Sequence, residues 1–420
     1  MAIDAGAPVD VVVYEQADRW GGLIRTMVRD GCTVECGPDA LLVRKGGLLS
    51  WMRTLGLTDA LVPQAPTGRT VYVWGDGVHV LPQAMLLGVP LSTDALDAID
   101  WIDDAAKARA WAEQDAPFVP DGDGSLGSLL RKRFGTEWTD AVMRPLLGGI
   151  HACSIDALSA QAAFPQLWDA LHTHGSMIRA LRARAPEDAD VPEQCKGSAF
   201  VSVRGGLGTI VDALVRDLER FGCTMRLGVD AQSINTRDAD AVIVTAPPWH
   251  VSLAHMPRIQ ATSVAYVVLA YDARDVSLRP GSGFVAQERP GRMITACTWT
   301  SQKWPHTAPP SRTLMRCYVG RMHDTRWMDL DDAALAAAVR KDLAQALGIV
   351  CPPLWTHIER LSDALPHYAP GHIARVSDAR KTLSAHRTYI VGKAYDGVGI
   401  PDCMRSAADA AMHAWHAVTE

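Results

Sequence analysis

Glycines and one acid sit at points of the chain where a folded backbone can turn them to chemistry. The β-branched run at residues 9–15, VDVVVYE, reads as a buried parallel strand and ends in Glu15. A carboxylate at the end of such a strand suits the ribose hydroxyls of a dinucleotide, and an ordinary solvated loop acid would look the same. Near the C-terminus, Gly392, Gly397 and Gly399 stand between a strand at 388–392 and a helix at 401–417, with Pro401 at the helix start. There the backbone N–H groups of residues 398–404, those of Val398 and Gly399 included, can face a phosphate or the electron-rich edge of a flavin ring. The plainer alternative is a strand, turn and helix that only pack. Gly205, Gly206 and Gly208 also open a helix, and a helix start alone explains them.

Other candidates are single residues. His151 titrates near neutrality, but with no visible partner a structural role is the better reading. Arg44 and Lys45 form a basic pair that is either solvated or an anchor for an anion. His367 and Tyr368 read equally well as a surface histidine and a packed tyrosine. Trp299, Trp304 and Trp327 have the shape to flank a flat ring, although aromatic side chains more often fill cores. The nine cysteines are scattered, and the close pair Cys32 and Cys36 lacks a second pair at zinc spacing. They read as reduced thiols of a cytoplasmic protein, with no metal site and no catalytic triad.

The elements that position these groups belong to an ordinary globular chain. Its 420 residues suggest two or three domains at about 150 residues each. Hydrophobic residues make up 48% and charged residues 21%, which excludes collagen, coiled coil and wholesale disorder. The net charge of −6, without a basic block, argues against nucleic acid as a partner. No apolar run approaches the roughly 20 residues of a membrane-spanning helix, and the start MAIDAGAPVD lacks the pattern of a signal peptide. The apolar segment 81–91, LPQAMLLGVPL, is too short to span; it suits a core or channel segment, or contact with a membrane surface.

Along the chain, residues 48–62 have helical spacing, and 69–81 form a hairpin turned at 74–77. Residues 94–185 are mainly helical, broken by a loop at 117–124 and a turn at 145–149, and 186–197 form a polar loop. A helix at 209–221 and strands at 223–227 and 240–246 return to α/β texture. Strands at 263–271, 293–300 and 314–319 suggest a separate antiparallel sheet, followed by a helix at 331–347. The expected organisation is a nucleotide-binding core at 1–68, 198–258 and 371–420. A hairpin and helical domain at 69–197 and an antiparallel substrate domain at 259–370 are inserted into it.

Seven stretches in order carry a family resemblance: EQADRWGGLIRT (15–26), GPDALLVRK (37–45), MRPLLGGIHA (143–152), SGFVAQE (282–288), TSQKWPH (300–306), ALPHYAPGH (364–372) and YIVGKAYDGVGIPDCMRSAADAA (389–411). Together they resemble the FAD-dependent porphyrinogen oxidases, the group of protoporphyrinogen oxidase and Gram-positive coproporphyrinogen III oxidase within the amine-oxidase-like flavoproteins. The resemblance spans nearly the whole chain, and KWPH with PDCMRS looks most like the coproporphyrinogen type.

The resemblance implies a Rossmann-like α/β FAD-binding core with a helical insertion and an α+β substrate domain. It implies oxidation of a porphyrinogen to the porphyrin in haem synthesis, with electrons passing to flavin and then to O2. Because the flavin carries the chemistry, no catalytic side chain is expected. FAD contacts fall on Glu15, Gly21, Gly22, Arg25, Gly37, Pro38, Ala231, Gly392, Val398, Gly399 and Ile400, and substrate contacts on Arg44, Lys45 and Tyr368. Gly205 and Gly206 would line the domain junction. Relatives also suggest peripheral contact with the cytoplasmic membrane face and a partner among haem-pathway enzymes. Two other readings stay open: a catalytically impaired relative that binds porphyrin or a haem-pathway partner, and another flavin amine oxidase with an aromatic cage for an amine.

The sequence departs from the family in three places. Only fourteen residues precede Glu15, too few for the strand, G-x-G-x-x-G turn and helix of a dinucleotide fingerprint. Either the natural chain begins about 30 residues earlier, the length of a βαβ beginning, or this is a shortened relative that binds FAD poorly. Residues 234–239 are too few for the antiparallel excursion relatives insert there, and Ala407-Ala408 replaces the usual Ser-Gly. Loss of the first strand would expose the edges of its neighbours.

Overall fold

Pairing of the β-branched runs divides the chain in two. The computed structural model describes residues 9–43, 45, 47–120, 122–183, 191–236 and 238–419. One unit comprises Met1–Pro63, Glu187–Ile259 and Ile373–Glu420; the other comprises Gln64–Pro186 and Gln260–His372.

In the first unit, Val12–Tyr14 pairs in parallel with Thr224–Arg226, and Val242–Val244 pairs in parallel with Thr388–Ile390. Among the described residues these stay two separate pairs. Val12, Tyr14 and Ile243 accordingly remain 46, 38 and 40% exposed. Phe200–Val203 lies antiparallel between Leu41–Leu42 and Leu61–Pro63, and its inward residues Val201 and Val203 join Leu41, Leu48, Met52 and Ile210 in a core. Helix Ile400–Thr419 packs against Val242–Val244 and Thr388–Ile390, and helix Gly208–Arg220 brings Ile210 into this core.

The second unit is built on a seven-stranded sheet. Its order is Trp355–Pro366, Ala261–Asp272, Arg312–Val319, Ile294–Thr298, Gly283–Ala286, Val71–Trp74 and Val78–Leu81. Alternation puts Ala265, Val267, Leu269, Cys317 and Val319 on one face, against Leu335, Val339 and Leu343 of helix Asp332–Leu347. That helix is capped by Asp331, whose carboxylate accepts the Ala334 N–H at 2.8 Å. The hairpin Val71–Trp74/Val78–Leu81 joins this sheet through parallel pairing with Gly283–Ala286, so the helical segment and the antiparallel segment share one unit. The helices pack around Phe134, Trp138, Val142, Leu147, Leu167 and Leu171. Fully buried Glu113 ties them together, accepting from Arg133 Nη2 at 2.8 Å, Ser176 Oγ at 2.7 Å and the Met177 N–H at 3.0 Å.

Two sequence expectations change here. The helix expected at 48–62 stops at Thr54, and Leu61–Pro63 is a strand that pairs with Phe200–Val203. The turn expected at 145–149 is helix, Arg144–His151, continuous with a π-helical segment Thr139–Met143. The wide π turn loosens the ladder just where Pro145 has no N–H to give, so proline opens the next helical stretch instead of ending it. The 81–91 segment follows its core reading: Leu81, Val89 and Pro90 are buried, and Met85, Leu87 and Leu91 pack on the helical cluster. No helix among the described residues is long and apolar enough to cross a membrane.

Candidate functional site

At the carboxyl end of the first parallel pair, Glu15 is fixed by its backbone. Its N–H donates to Arg226 O at 2.9 Å, its carbonyl accepts the Val229 N–H at 3.0 Å, and its Oε1 accepts the Ala17 N–H at 2.9 Å. Ala231 follows two residues after Val229, in a short turn capped by Asp230. Both therefore stand where open α/β sheets bind ligands.

The loop after Glu15 is held by Arg19, which donates to Gly22 O at 2.6 Å and Ile24 O at 3.3 Å. Gly21 has φ +104°, and a Cβ there would meet Ile24 O at 2.9 Å and Val211 at 3.0 Å. Gly37 is tighter still, with Leu23 O only 1.7 Å from where its Cβ would be. The Arg25 carbonyl accepts the Cys36 N–H at 2.8 Å, and Pro38 is half-buried beyond Gly37. Gly21 and Gly37 thus let backbone approach backbone.

The glycines at 205–208 do not form a phosphate loop. Glu35 Oε1 accepts the Leu207 N–H at 2.8 Å, and Thr26 Oγ1 accepts the Gly208 N–H at 2.9 Å while donating to Glu35 Oε2 at 2.7 Å. A carboxylate of the chain already holds this helix N-terminus.

The C-terminal helix keeps its donors open. Among the described residues, the N–H groups of Val398, Gly399 and Ile400 make no hydrogen bond. Gly392, φ +110°, ends its strand beside Thr245 O, and a Cβ on Gly397 or Gly399 would lie 2.7 or 2.9 Å from Asp402 Oδ2. The cradle of open donors fits the electron-rich edge of a flavin. Beneath it, Cys403 is pushed up to about 11 by burial.

The expected substrate contacts are placed differently. Arg44 lies outside the described residues. Lys45 is not a free anchor: its Nζ pairs with Asp402 Oδ2 at 2.7 Å. Tyr368 is 1% exposed, with ring centroids 4.3 Å from His372 and 5.4 Å from His151, and its carbonyl accepts the Ser159 N–H at 2.6 Å. It packs in a core, as His151 does. His367 Nε2 lies 2.9 Å from Ala157 O. Trp299, Trp304 and Trp327 are 0, 1 and 3% exposed and fill the interior.

The sequence reading missed the sheet face opposite helix Asp332–Leu347. Register brings Tyr266, Arg316, Tyr318, Thr298, His357 and Glu359 to that face. The Arg316 guanidinium, on a residue 3% exposed, lies 3.9 Å from the Tyr266 ring centroid and 5.0 Å from that of Tyr318. Tyr318 Oη is 3.2 Å from Thr298 Oγ1. The signal was available, since an arginine in mid-strand, TLMRCYV, breaks an otherwise apolar run.

Strand-end acid, glycine turns and open helix donors in one unit, with an antiparallel sheet in the other, define a two-unit flavoprotein oxidoreductase fold. The chain is 32% identical to coproporphyrinogen III oxidase of Bacillus subtilis (strain 168), over 94% of this chain and 90% of that protein. Against coproporphyrinogen III oxidase of Staphylococcus aureus (strain NCTC 8325 / PS 47) it is 30% identical, over 94% and 91%. A crystal structure from Exiguobacterium sp. 255-15, of a protein provisionally named protoporphyrinogen oxidase, superposes with a TM-score of 0.83 at 29% identity, covering 98% of this chain and 93% of that one. The model of the flavin containing amine oxidoreductases matches residues 3–414. The chain belongs to that family, and its cofactor is a flavin.

Proposed function

We propose that this chain is an FAD-dependent porphyrinogen oxidase of haem synthesis that oxidises coproporphyrinogen III to coproporphyrin III, with protoporphyrinogen IX as the second candidate substrate. The observation that carries the reading is the similarity to coproporphyrinogen III oxidases over 94% of the chain.

In this reading the flavin, when bound, supplies the electron acceptor and passes electrons to O2. Glu15 holds the adenosine ribose with its free carboxylate oxygen. Gly21, Gly22, Arg25, Gly37, Pro38 and Ala231 shape the backbone around the cofactor. The Val398, Gly399 and Ile400 N–H groups face the flavin's electron-rich edge, and Asp402 with Lys45 fixes the turn that aims them. The reading takes the cytoplasm as the compartment, with peripheral membrane contact and a haem-pathway partner as further expectations.

The test is a visible spectrum of the purified chain before and after adding FAD, followed by porphyrin fluorescence on adding coproporphyrinogen III in air. Flavin bands and a growing porphyrin signal are expected. Porphyrin binding without flavin bands or turnover would replace the reading with an impaired relative; amine turnover without porphyrin formation would make it another amine oxidase.

A further inference from the structure

The second unit contains a cleft of about 540 Å3, within the range of organic-ligand sites. Its floor is the helix Arg144–His151 at Gly148 and Gly149, and its wall includes Ala286, Gln287 and Thr295. Arg321 reaches in from the turn after strand Arg312–Val319. Gly320 sets that direction. Its φ is +104°, and a Cβ would meet Trp327 Nε1 at 2.8 Å and Ser263 O at 2.9 Å. Met322, on the other side of Arg321, is pinned as well, its N–H donating to Ala152 O at 2.9 Å.

Among the described residues that line the cleft, only exposed Glu137 and Arg321 lack an ion-pair partner. Arg144 pairs with Asp140 at 2.8 Å and Asp156 at 3.5 Å. Glu288 Oε1 lies 2.7 Å from His323 Nε2, and Asp324 holds Arg326 through two contacts of 2.7 Å. Arg321 has a single side-chain hydrogen bond among the described residues, Nη2 to Ala286 O at 3.3 Å, and no ion-pair partner. Burial lowers the affinity of its guanidinium for the proton, as expected of a cation short of a counter-ion. The acids nearest to it are engaged elsewhere, so its planar fork is left for a carboxylate from outside.

Resting on the function proposed above, we propose that Arg321 binds a propionate carboxylate of the porphyrin substrate in this cleft. The volume exceeds what a small anion needs. Exposed Glu137 and Glu288 at the rim weaken the pull on free anions, so the carboxylate must arrive on an apolar body that gains by burial.

The experiment titrates the flavin-loaded full chain with coproporphyrin III and with its tetramethyl ester, followed by porphyrin fluorescence, in wild type, Arg321→Gln and Arg321→Lys. Melting curves and flavin content verify that the variants fold. Losing one charge-assisted bond should weaken coproporphyrin III binding by about tenfold or more in Arg321→Gln and less in Arg321→Lys. The uncharged ester should bind wild type and Arg321→Gln alike. Equal coproporphyrin affinity in wild type and Arg321→Gln overturns the proposal and leaves the function standing. A wild type that binds neither porphyrin overturns both. Arg321-dependent displacement of coproporphyrin by millimolar inorganic phosphate would make the cleft a general anion site and overturn the substrate assignment.

Discussion

Lys45 Nζ lies 2.7 Å from Asp402 Oδ2, joining the end of the first glycine loop region to the N-terminus of the last helix. The carboxylate side chain is 3% exposed and the ammonium 41%, so the buried partner depends on the exposed one. Among the described residues, the other cation paired with Asp402 is Arg405, at 3.4 Å.

Lys45→Met should therefore cost about 1–2 kcal/mol, below the full penalty for a buried unpaired charge because Lys45 is partly solvated. Flavin retention should fall with it, since Asp402 shapes the turn at 397–399. Adding Asp402→Asn removes the stranded charge and should recover part of the stability. Thermal melting and the flavin-to-protein absorbance ratio read both effects. Wild-type values for Lys45→Met on both would refute the linkage.

Glu35 predicts a separation of stability from cofactor binding. Its two oxygens hold the Leu207 N–H and Thr26 Oγ1 at 2.8 and 2.7 Å. Glu35→Ala uncaps the helix Gly208–Arg220 and should cost about 1–2 kcal/mol in urea unfolding. Flavin affinity should stay unchanged, because that helix end is filled by protein. A large loss of flavin with unaltered stability would instead make residues 205–208 a cofactor loop.

The parts legible in the sequence were those written in local pattern. VDVVVYE, DAVIVTA and the final glycine turn and helix declare their conformation within a few residues, and the family motifs overlie them. Trp355–Pro366 escaped because it is an edge strand interrupted by His357, Glu359, Arg360 and Asp363, which read as a polar stretch. His372–Ser384 escaped because its apolar residues are sparse. The roles of Lys45 and Arg316 depend on partners far away in sequence. Asp402 lies 357 residues from Lys45, and Arg316 meets Tyr266 only through strand register. Local periodicity carries no such information.

Neighbouring glycines on the cleft floor should respond oppositely. A Cβ on Gly149 meets nothing within 4 Å, whereas one on Gly148 would lie 2.9 Å from Cys153 O. Both sit inside helix Arg144–His151. Gly149→Ala should stabilise the chain by about 0.5–1 kcal/mol through helix propensity and a less flexible unfolded state. Gly148→Ala should destabilise it, since the backbone carbonyl must give way. Chemical unfolding decides, and equal midpoints for the two variants would contradict this packing.

Arg131 is the hub of an ion network that should fade in acid. Its guanidinium donates to Asp140 Oδ1 from Nη2 at 2.9 Å and also grips Asp156. Hydrogen bonding from Arg131, helped by its charge, holds the Asp156 carboxyl below its usual value, against an opposing push from burial. A carboxyl depressed in the folded state binds its proton more readily in the unfolded chain. Its contribution is therefore present above the unfolded value of about 4 and is lost as pH falls through the folded one. Because the Asp156 side chain is 43% exposed, solvent screens the pair, and Arg131→Met should cost only about 0.5–1.5 kcal/mol at pH 7. The gap between wild-type and variant urea midpoints should be constant from pH 7 to about 5 and shrink toward pH 3. A gap that does not change across that range would show that Arg131 stabilises the helices by packing alone.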